Sequence, residues 1–386
     1  MKVTFFSNTM NHHQLPFSLA MDRLTGGQYT FVATEPISRE RLDMDYADMN
    51  KAYPFVLTTY DSPENAQRAM KLAVESDAII VGSAPVAYVK RRMACGRLTF
   101  GYSERVFKGK VRPRFIRSYG GMLLHHGVYR KKPLYMLCAS AYTAGDFALA
   151  GLYWGKAFKW GYFPEVKRRD IAVLQQQRSA LTNLLWAGRL LDWKHPEVAI
   201  AVAQRLKLNG YSFNLDIIGN GVMEQQLRNM IHEKNLGDCV HMLGAMPPEK
   251  VREHMEKSDI FLFTSDFNEG WGAVLNESMN SGCAVVASHA IGAVPFLMRD
   301  GENGLIYKNE DNDSLYRCVT RLIEDPKLRD KLGRNAYQTL ADTWNAETAA
   351  ERFLQLSQAL LDGKSPDLFE EGPCSRAEIL RNGWYR

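Results

Sequence analysis

Ile260-Phe261-Leu262-Phe263-Thr264-Ser265, followed by Glu269-Gly270-Trp271-Gly272-Ala273-Val274-Leu275-Asn276-Glu277, is the stretch on which the fold turns. The first run is apolar without alternation, as a strand buried on both faces of a parallel sheet must be. Gly270 and Gly272 then mark a turn, and Leu275, Ser278, Met279 and Gly282 keep a helical rhythm. The local grammar is strand, glycine loop, helix N-terminus. Such a loop lets backbone N–H groups approach a ligand closely, and the helix end favours negative charge. Glu269 falls on the loop and Glu277 about a turn into the helix. Two carboxylates so placed suit a polyhydroxylated ligand, since each accepts two hydroxyls at once. They also suit a helix cap and a solvated helix residue, and this stretch alone leaves both readings open.

Working outward, the same alternation recurs. Strand-like runs occur at Lys2–Ser7, Tyr29–Ala33, Phe55–Thr59, Ala78–Gly82, Leu98–Gly101 and Leu134–Ala139, with helical patterns such as Pro63–Glu75 and Arg112–His126 between them. A second series comprises Leu184–Ala187, Asn214–Ile218, Val240–Leu243, Ile260–Thr264, Ala284–Ala287 and Leu305–Tyr307. Its helical segments are Pro196–Lys207, Val222–Lys234, Pro248–Lys257 and Asn276–Met279. Repeated strand–helix alternation implies parallel sheets covered on both faces. Two series, parted by the charged stretch Val166–Asp170, imply an α/β protein of two Rossmann-like domains facing across a cleft. Residues 1–168 form the expected first domain and 169–362 the second; the tail, 363–386, is long enough to pack back on the first.

The glycine-flanked pair of carboxylates resembles the E-x7-E motif of family 4 retaining GT-B glycosyltransferases of the bacterial surface-polysaccharide type. The resemblance covers most of residues 180–345, and it implies that 169–362 is the nucleotide-sugar-binding domain, 1–168 the acceptor-binding domain and 363–386 a tail that returns to the latter. Gly188-Arg189-Leu190 with Lys194 is similar to that family's diphosphate-binding Arg/Lys pair. Ile217-Ile218-Gly219-Asn220-Gly221 resembles its second glycine turn, Val240-His241-Met242-Leu243-Gly244 its next strand, and Gly301-Glu302-Asn303-Gly304-Leu305 a later turn. The resemblance implies that Arg189 and Lys194 clamp a diphosphate, as a fork of donors and a point charge do well. It implies that Glu277 holds ribose hydroxyls, and that Glu269 with the N–H groups of Gly270, Trp271 and Gly272 faces the donor sugar. Gly219 and Asn220 complete the donor side. Trp271 stands where Phe is more usual, which leaves the sugar open. Stereochemical retention and UDP as the default nucleotide are inherited from the family.

The N-terminal half departs from that pattern. Asn8-Thr9-Met10-Asn11-His12-His13-Gln14 replaces the usual glycine-rich loop after the first strand. His12 and His13 at a carboxyl strand end are candidates for the acceptor or phosphate side, and for moving a proton near neutrality. Glu104, just past Leu98–Tyr102, is the next polar candidate; the mid-domain Gly82-Ser83-Ala84-Pro85 lacks the histidine of many relatives. Asp43-Met44-Asp45 spells the D-x-D that binds a divalent cation in GT-A enzymes, but no apolar strand directly precedes it. It reads as surface, so no cofactor and no metal is expected.

Charge is unevenly spread. Residues 88–132 hold 13 of the 48 Lys and Arg residues but one of the 43 Asp and Glu, so the remainder of a chain of net charge +5 is acidic. Lys90, Arg91, Arg92, Arg112, Arg114 and Arg117 are interleaved there with Tyr88, Phe100, Phe107, Phe115, Tyr119, Leu123 and Leu124. This is the pattern of an interfacial or anion-facing surface, or of a solvated basic face. No zinc, helix-turn-helix or RNA-binding signature accompanies it, so nucleic acid is not expected as a partner. Six cysteines lack metal-type spacing and read as buried thiols in a reducing compartment. The apolar run at the N-terminus is too short for a signal peptide, and Ala78 to Val89 falls short of a membrane span. The expected setting is cytoplasmic, peripheral on the inner face of the membrane. The expected partners are a nucleotide sugar, a glycan or lipid-linked glycan acceptor, and an anionic membrane surface. Two other readings stay open: a non-catalytic nucleotide- or sugar-binding partner in a membrane-associated assembly, and a nucleotide-sugar epimerase on the same fold.

Overall fold

The computed structural model describes residues 1–38, 48–109 and 114–385, the side chains of 114–116 excepted. In the first half, β1 (Val3–Ser7), β2 (Tyr29–Ala33), β3 (Val56–Thr58), β4 (Ala78–Val81), β5 (Thr99–Ser103), β6 (Leu134–Cys138) and β7 (Ala157–Lys159) form one sheet. Its order is β3-β2-β1-β4-β5-β6-β7, and its ladders are parallel. The second sheet contains β8 (Thr182–Ala187), β9 (Phe213–Ile218), β10 (Val240–Gly244), β11 (Ile260–Phe263), β12 (Ala284–Ser288) and β13 (Leu305–Tyr307). Its order is β10-β9-β8-β11-β12-β13, again parallel throughout. Parallel neighbours need crossovers, and these are the helices that the 3.6-residue periodicity places between strands. Both sheets bury their central strands on two faces: β4, β11 and β12 are buried at every residue. That burial is why these strands read as continuous apolar runs. β7, three residues at the edge of its sheet, escapes sequence reading because so short a run carries no period.

Each sheet reverses its winding once, between β1 and β4 in the first and between β8 and β11 in the second. At such a switch point the flanking loops leave in opposite directions and open a crevice beyond the carboxyl ends of the strands. His12 and His13 follow β1, Arg189 and Lys194 follow β8, and Glu269 follows β11.

Contacts divide the chain into two compact units. Met1–Glu165 and Trp344–Arg381 form one; Val166–Thr343 and the residues from Asn382 on form the other. The return to the first unit therefore begins at Trp344, inside the span 169–362 that periodicity assigns to the second domain. The helix Ala346–Leu361 packs on the helix Leu15–Leu24, and its Phe353 sits edge-on to Phe17, Phe100 and Trp160 at 5.0–6.4 Å. An amphipathic stripe announces that a helix is buried on one face but not which partner covers it. Farther on, the tail lies so close to Gly145 that a Cβ there would meet the Leu380 carbonyl oxygen. Asn382 and Tyr385 attach to the second unit, the former accepting from His289 Nε2 at 3.1 Å and the latter donating to the Ile306 carbonyl at 2.6 Å.

Among the described residues no helix is long and apolar enough to cross a membrane. All six cysteines are free thiols; Cys138, Cys239, Cys283 and Cys374 are buried as expected, whereas Cys95 is exposed.

Candidate functional site

The second unit assembles its polar centre around the end of β11. Thr264 directs its hydroxyl between the Lys194 and His195 carbonyls, 2.7 and 2.9 Å away, and accepts the Trp186 indole N–H at 2.9 Å. This one side chain ties the strand end to the turn that follows β8. Asp266 continues the tie: its N–H donates to the Trp193 carbonyl at 3.0 Å, and its carboxylate receives the Asn268 N–H at 2.7 Å. The loop then swings through Gly272 at φ +89°, where a Cβ would lie 2.5 Å from the Phe263 ring. Only glycine meets both demands. The helix Val274–Asn280 follows, with Glu277 at its fourth residue.

Lys194 and Glu269 meet at this centre. The lysine Nζ donates to Glu269 Oε2 at 2.5 Å, with side-chain exposures of 13% and 11%. Ser265 donates to the same oxygen at 3.1 Å, and the ammonium also lies 4.6 Å from the Trp193 ring centroid. A nearly dry ion pair is held by its mutual field and its hydrogen bonds; removing one partner leaves an uncompensated charge. Arg189, one residue beyond Gly188, is exposed at the same strand end. Its backbone is set by the second glycine turn. Gly188 N–H donates to Ile218 O and Leu190 N–H to Asn220 O, and a Cβ on Gly219 (φ +139°) would fall 1.8 Å from the Gly188 carbonyl oxygen. Gly219 and Asn220 thus brace the Arg189 strand end by close backbone approach.

The Trp271 side chain packs beneath the loop. Its indole is fully buried, donates to Asn276 Oδ1 at 2.9 Å and leans on Phe296. The Phe-to-Trp departure therefore changes the packing beneath the loop. Asn276, the acceptor of that bond, is itself buried. The Glu269 and Trp271 carbonyls accept from Gly292 and Ala293, which pins the loop to the turn after β12.

Glu277 is half-buried. Burial pushes its carboxyl above the ordinary range, against the opposing pull of Arg252 and Lys167. Arg252 donates to Asn280 Oδ1, and Asn280 also joins the Lys167 backbone, so the cations near Glu277 are themselves anchored.

Sequence reading overlooked His195. It occupies a left-handed conformation (φ 50°) before the helix Pro196–Leu208, with Nδ1 2.8 Å from Glu197 and Nε2 3.7 Å from Asp266. The Asp266 and Glu197 carboxylates lift its pKa to about 10, so the imidazole is cationic at neutral pH. Asp266 in turn stays below the usual carboxylate range: burial pushes it up, but His195 and Asn268 more than offset this. A lone histidine next to Pro196 carries no sequence signal; its acidic neighbour arrives from 71 positions away through the sheet.

In the first unit, His12, His13 and Glu104 gather at the carboxyl edge of the sheet. The two imidazoles are 3.7 Å apart, and His13 stacks on Tyr162 at 5.8 Å. Tyr162 donates to Glu104 Oε1 and Lys108 to Oε2, each at 2.6 Å. Tyr162 is the member that sequence reading missed, since it lies in the segment leading out of the unit. The basic surface needs one correction. Arg92 is fully buried and donates to the carbonyls of Leu98, Ala73, Val74, Ser76 and Asp77, knitting two helix ends to β5. Lys90, Arg91 and Arg117 are exposed. Arg112, Asp43 and Asp45 lie outside the described residues, as does the side chain of Arg114.

The geometry so far defines a class: two parallel-sheet α/β units of Rossmann type, the second carrying cations and carboxylates at its switch point. Comparison with known proteins agrees. Residues 176–339 match the family model of glycosyl transferases group 1, the span that holds Arg189, Lys194, Glu269 and Glu277. The amylovoran biosynthesis glycosyltransferase AmsK of Erwinia amylovora is 33% identical over 145 residues, 36% of this chain and 35% of that protein. An N-acetylgalactosaminyltransferase of Campylobacter jejuni that acts on a diphospho-undecaprenol-linked sugar is 33% identical over 162 residues, 42% of each chain. The chain thus spans well under half the length of these curated relatives. Among solved structures, Anabaena Alr3699/HepE in complex with UDP superposes with a TM-score of 0.70 over 93% of this chain and 100% of that one, at 17% identity. The fold is that of GT-B structures.

Proposed function

We propose that this protein is a retaining, metal-independent glycosyltransferase of surface-polysaccharide biosynthesis. It would move a sugar from a nucleotide-diphosphate sugar, by default a UDP-sugar, to a lipid-linked or polysaccharide acceptor. The observation that carries the reading is the Lys194–Glu269 pair at the switch point of the second sheet, with Arg189 exposed beside it and Glu277 a turn along the helix. The names of the relatives support it: AmsK is an amylovoran biosynthesis glycosyltransferase, the Campylobacter enzyme takes a diphospho-undecaprenol acceptor, and HepE was solved with UDP.

In this reading Arg189 and Lys194 hold the diphosphate, Glu277 the ribose hydroxyls and Glu269 the donor sugar. The anomeric C–O bond breaks and its electron pair leaves with the nucleoside diphosphate. The acceptor oxygen forms the new bond on the same face and passes its proton to a departing phosphate oxygen. Positive charge grows on the ring and negative charge on the diphosphate, and fixed cations stabilise the latter without reorganising. Lys194 exchanges its Glu269 partner for phosphate when donor arrives, which frees the carboxylate to accept sugar hydroxyls. His12, His13 and Glu104 are assigned to the acceptor side, and the protein works peripherally on the cytoplasmic face of an anionic membrane.

The test is a thermal-shift panel of nucleotide diphosphates and their sugars, run with EDTA, on wild type and Glu277→Ala. A ligand that binds only the folded state raises the midpoint by mass action. A shift for one base, reduced in the variant, supports the donor site; no shift with any nucleotide sinks it. Binding with no transfer to any glycan acceptor would favour the non-catalytic reading. Conversion of the sugar without acceptor would favour the epimerase.

A further inference from the structure

Between Arg105 and Pro164 the chain has a single acidic residue, Asp146. That carboxylate is buried beside Arg105 and accepts the Val106 and Phe107 N–H groups at 2.8 and 2.9 Å. The surface contributed by this segment therefore presents cations and apolar groups with no anion among them. Four of its apolar side chains stand about two-thirds in water: Leu124 (65%), Val128 (64%), Leu149 (65%) and Trp154 (66%). They belong to two stretches that touch. His126 Nδ1 lies 2.6 Å from the Tyr153 hydroxyl, and Arg130 donates to Ala150 O. Lys156 donates to the Arg130 and Lys132 carbonyls at 3.1 and 2.8 Å. Met122, Phe147, Ala150 and Leu152 fill the core beneath, so the outer four are surplus to it. Arg117, Arg130, Lys131 and Lys132 are exposed around them.

Scattered single apolar residues need no explanation, but a cluster of aliphatic side chains and a tryptophan ringed by cations does. We propose that this face docks on an anionic bilayer. Leu124, Val128, Leu149 and Trp154 enter the headgroup region, and Arg117, Arg130, Lys131 and Lys132 pair with lipid phosphates. Charge selects the partner: the basic rim that this segment supplies matches anionic lipid, and the aliphatic centre gains only where water is excluded. Tryptophan is the residue most at home at that depth. Position agrees, because the two stretches immediately precede β6 and β7 and so lie at the amino ends of the sheet. Docking there leaves the carboxyl edge, with His13, Tyr162 and Glu104, open to an acceptor. The proposal rests on the reading above for its membrane setting but not for its chemistry.

The experiment is co-sedimentation of the full chain with vesicles of phosphatidylglycerol and phosphatidylcholine, alongside phosphatidylcholine alone. Wild type is compared with Leu124→Ser/Trp154→Ser and with Arg130→Ser/Lys131→Ser/Lys132→Ser. Wild type is expected to bind the anionic vesicles and release at high salt. The charge variant should partition about a hundredfold more weakly, and the apolar variant at least tenfold more weakly. All altered residues are exposed, so thermal midpoints and nucleotide-induced shifts should match wild type. Those shifts report the donor site separately, so either proposal can fail alone. Equal vesicle binding by the variants overturns the assignment. So does absence of wild-type binding, self-association abolished by Leu124→Ser/Trp154→Ser, or RNA binding abolished by the charge variant.

Discussion

Glu277 carries an internal conflict that makes it testable. Its raised pKa means that burial opposes the charged form, so the ionised carboxylate costs folding free energy at neutral pH. That cost is relieved as pH falls through its folded pKa, the reverse of a salt-bridged acid. Glu277→Gln is therefore expected to hold or raise the ligand-free melting midpoint at pH 7 while weakening nucleotide diphosphate binding tenfold or more. Calorimetry with and without UDP checks both halves; a variant that loses stability yet binds normally contradicts the assignment. Lys194 should behave differently. Lys194→Ala strands Glu269 without its cation, so it should lower stability by about 3 kcal/mol and transfer rate about a hundredfold. His195 supplies a pH signature. Its pKa is raised to about 10 from 6.5, so the stability it confers is full below about 6.5 and disappears as pH approaches 10. The gap between wild type and His195→Gln in urea unfolding should shrink across that interval; a constant gap would remove the ionic account.

At the scale of the element, the loops following β8, β9 and β11 act as one unit: the Asp266 N–H donates to the Trp193 carbonyl and the Leu190 N–H to the Asn220 carbonyl. Gly219 lies against the Gly188 carbonyl, and Gly272 against the Phe263 ring. Neither has space for a Cβ, and both hold positive φ. Gly219→Ala should therefore displace the Gly188–Leu190 strand end, cost about 2 kcal/mol or more, and blunt any nucleotide-induced thermal shift through Arg189. Fluorescence of the nearby Trp186 and Trp193 would report the displacement. The two glycine turns are visible in sequence as spacing, but what each glycine meets, the Gly188 carbonyl for Gly219 and the Phe263 ring for Gly272, is decided by the fold. The helix Ala87–Ala94 teaches the converse: Lys90, Arg91 and Arg92 are adjacent and chemically alike, yet one of the three is buried among carbonyls. The helical period turns Arg92 inward, and the carbonyls it reaches belong to segments 15 to 19 residues earlier and 6 later.

At the scale of the molecule, the first unit depends on a helix made more than three hundred residues after β1. Phe353 is fully buried among Phe17, Phe100 and Trp160, all in the first unit. Phe353→Ala should cost about 3–5 kcal/mol and open the first unit to proteolysis before the second. Limited digestion read by mass spectrometry checks the order; first cuts confined to Val166–Thr343 would contradict it. A contact of such sequence separation closes late, so the first unit is also expected to complete its folding only when the C-terminal helix is present.

Strand runs, turn glycines and helical periods are local properties of covalent neighbours, and they sufficed for the two-unit α/β architecture, for the placing of Arg189, Lys194 and Glu269 after strands and for that of Glu277 in a helix. The Ile260–Ser265 run and Tyr29–Ala33 are instances where apolar continuity alone marks a buried parallel strand. Which groups meet across those strand ends is not local. The Lys194–Glu269 pair, the His195–Asp266 contact and the Tyr162–Glu104 hydrogen bond each join segments more than fifty residues apart. Strand order set those meetings, because a parallel sheet brings together loops that the chain keeps apart. The same holds for Arg92, for Phe353 and for the exposed face around Trp154: periodicity says that a side chain turns inward or outward, and packing alone says against what.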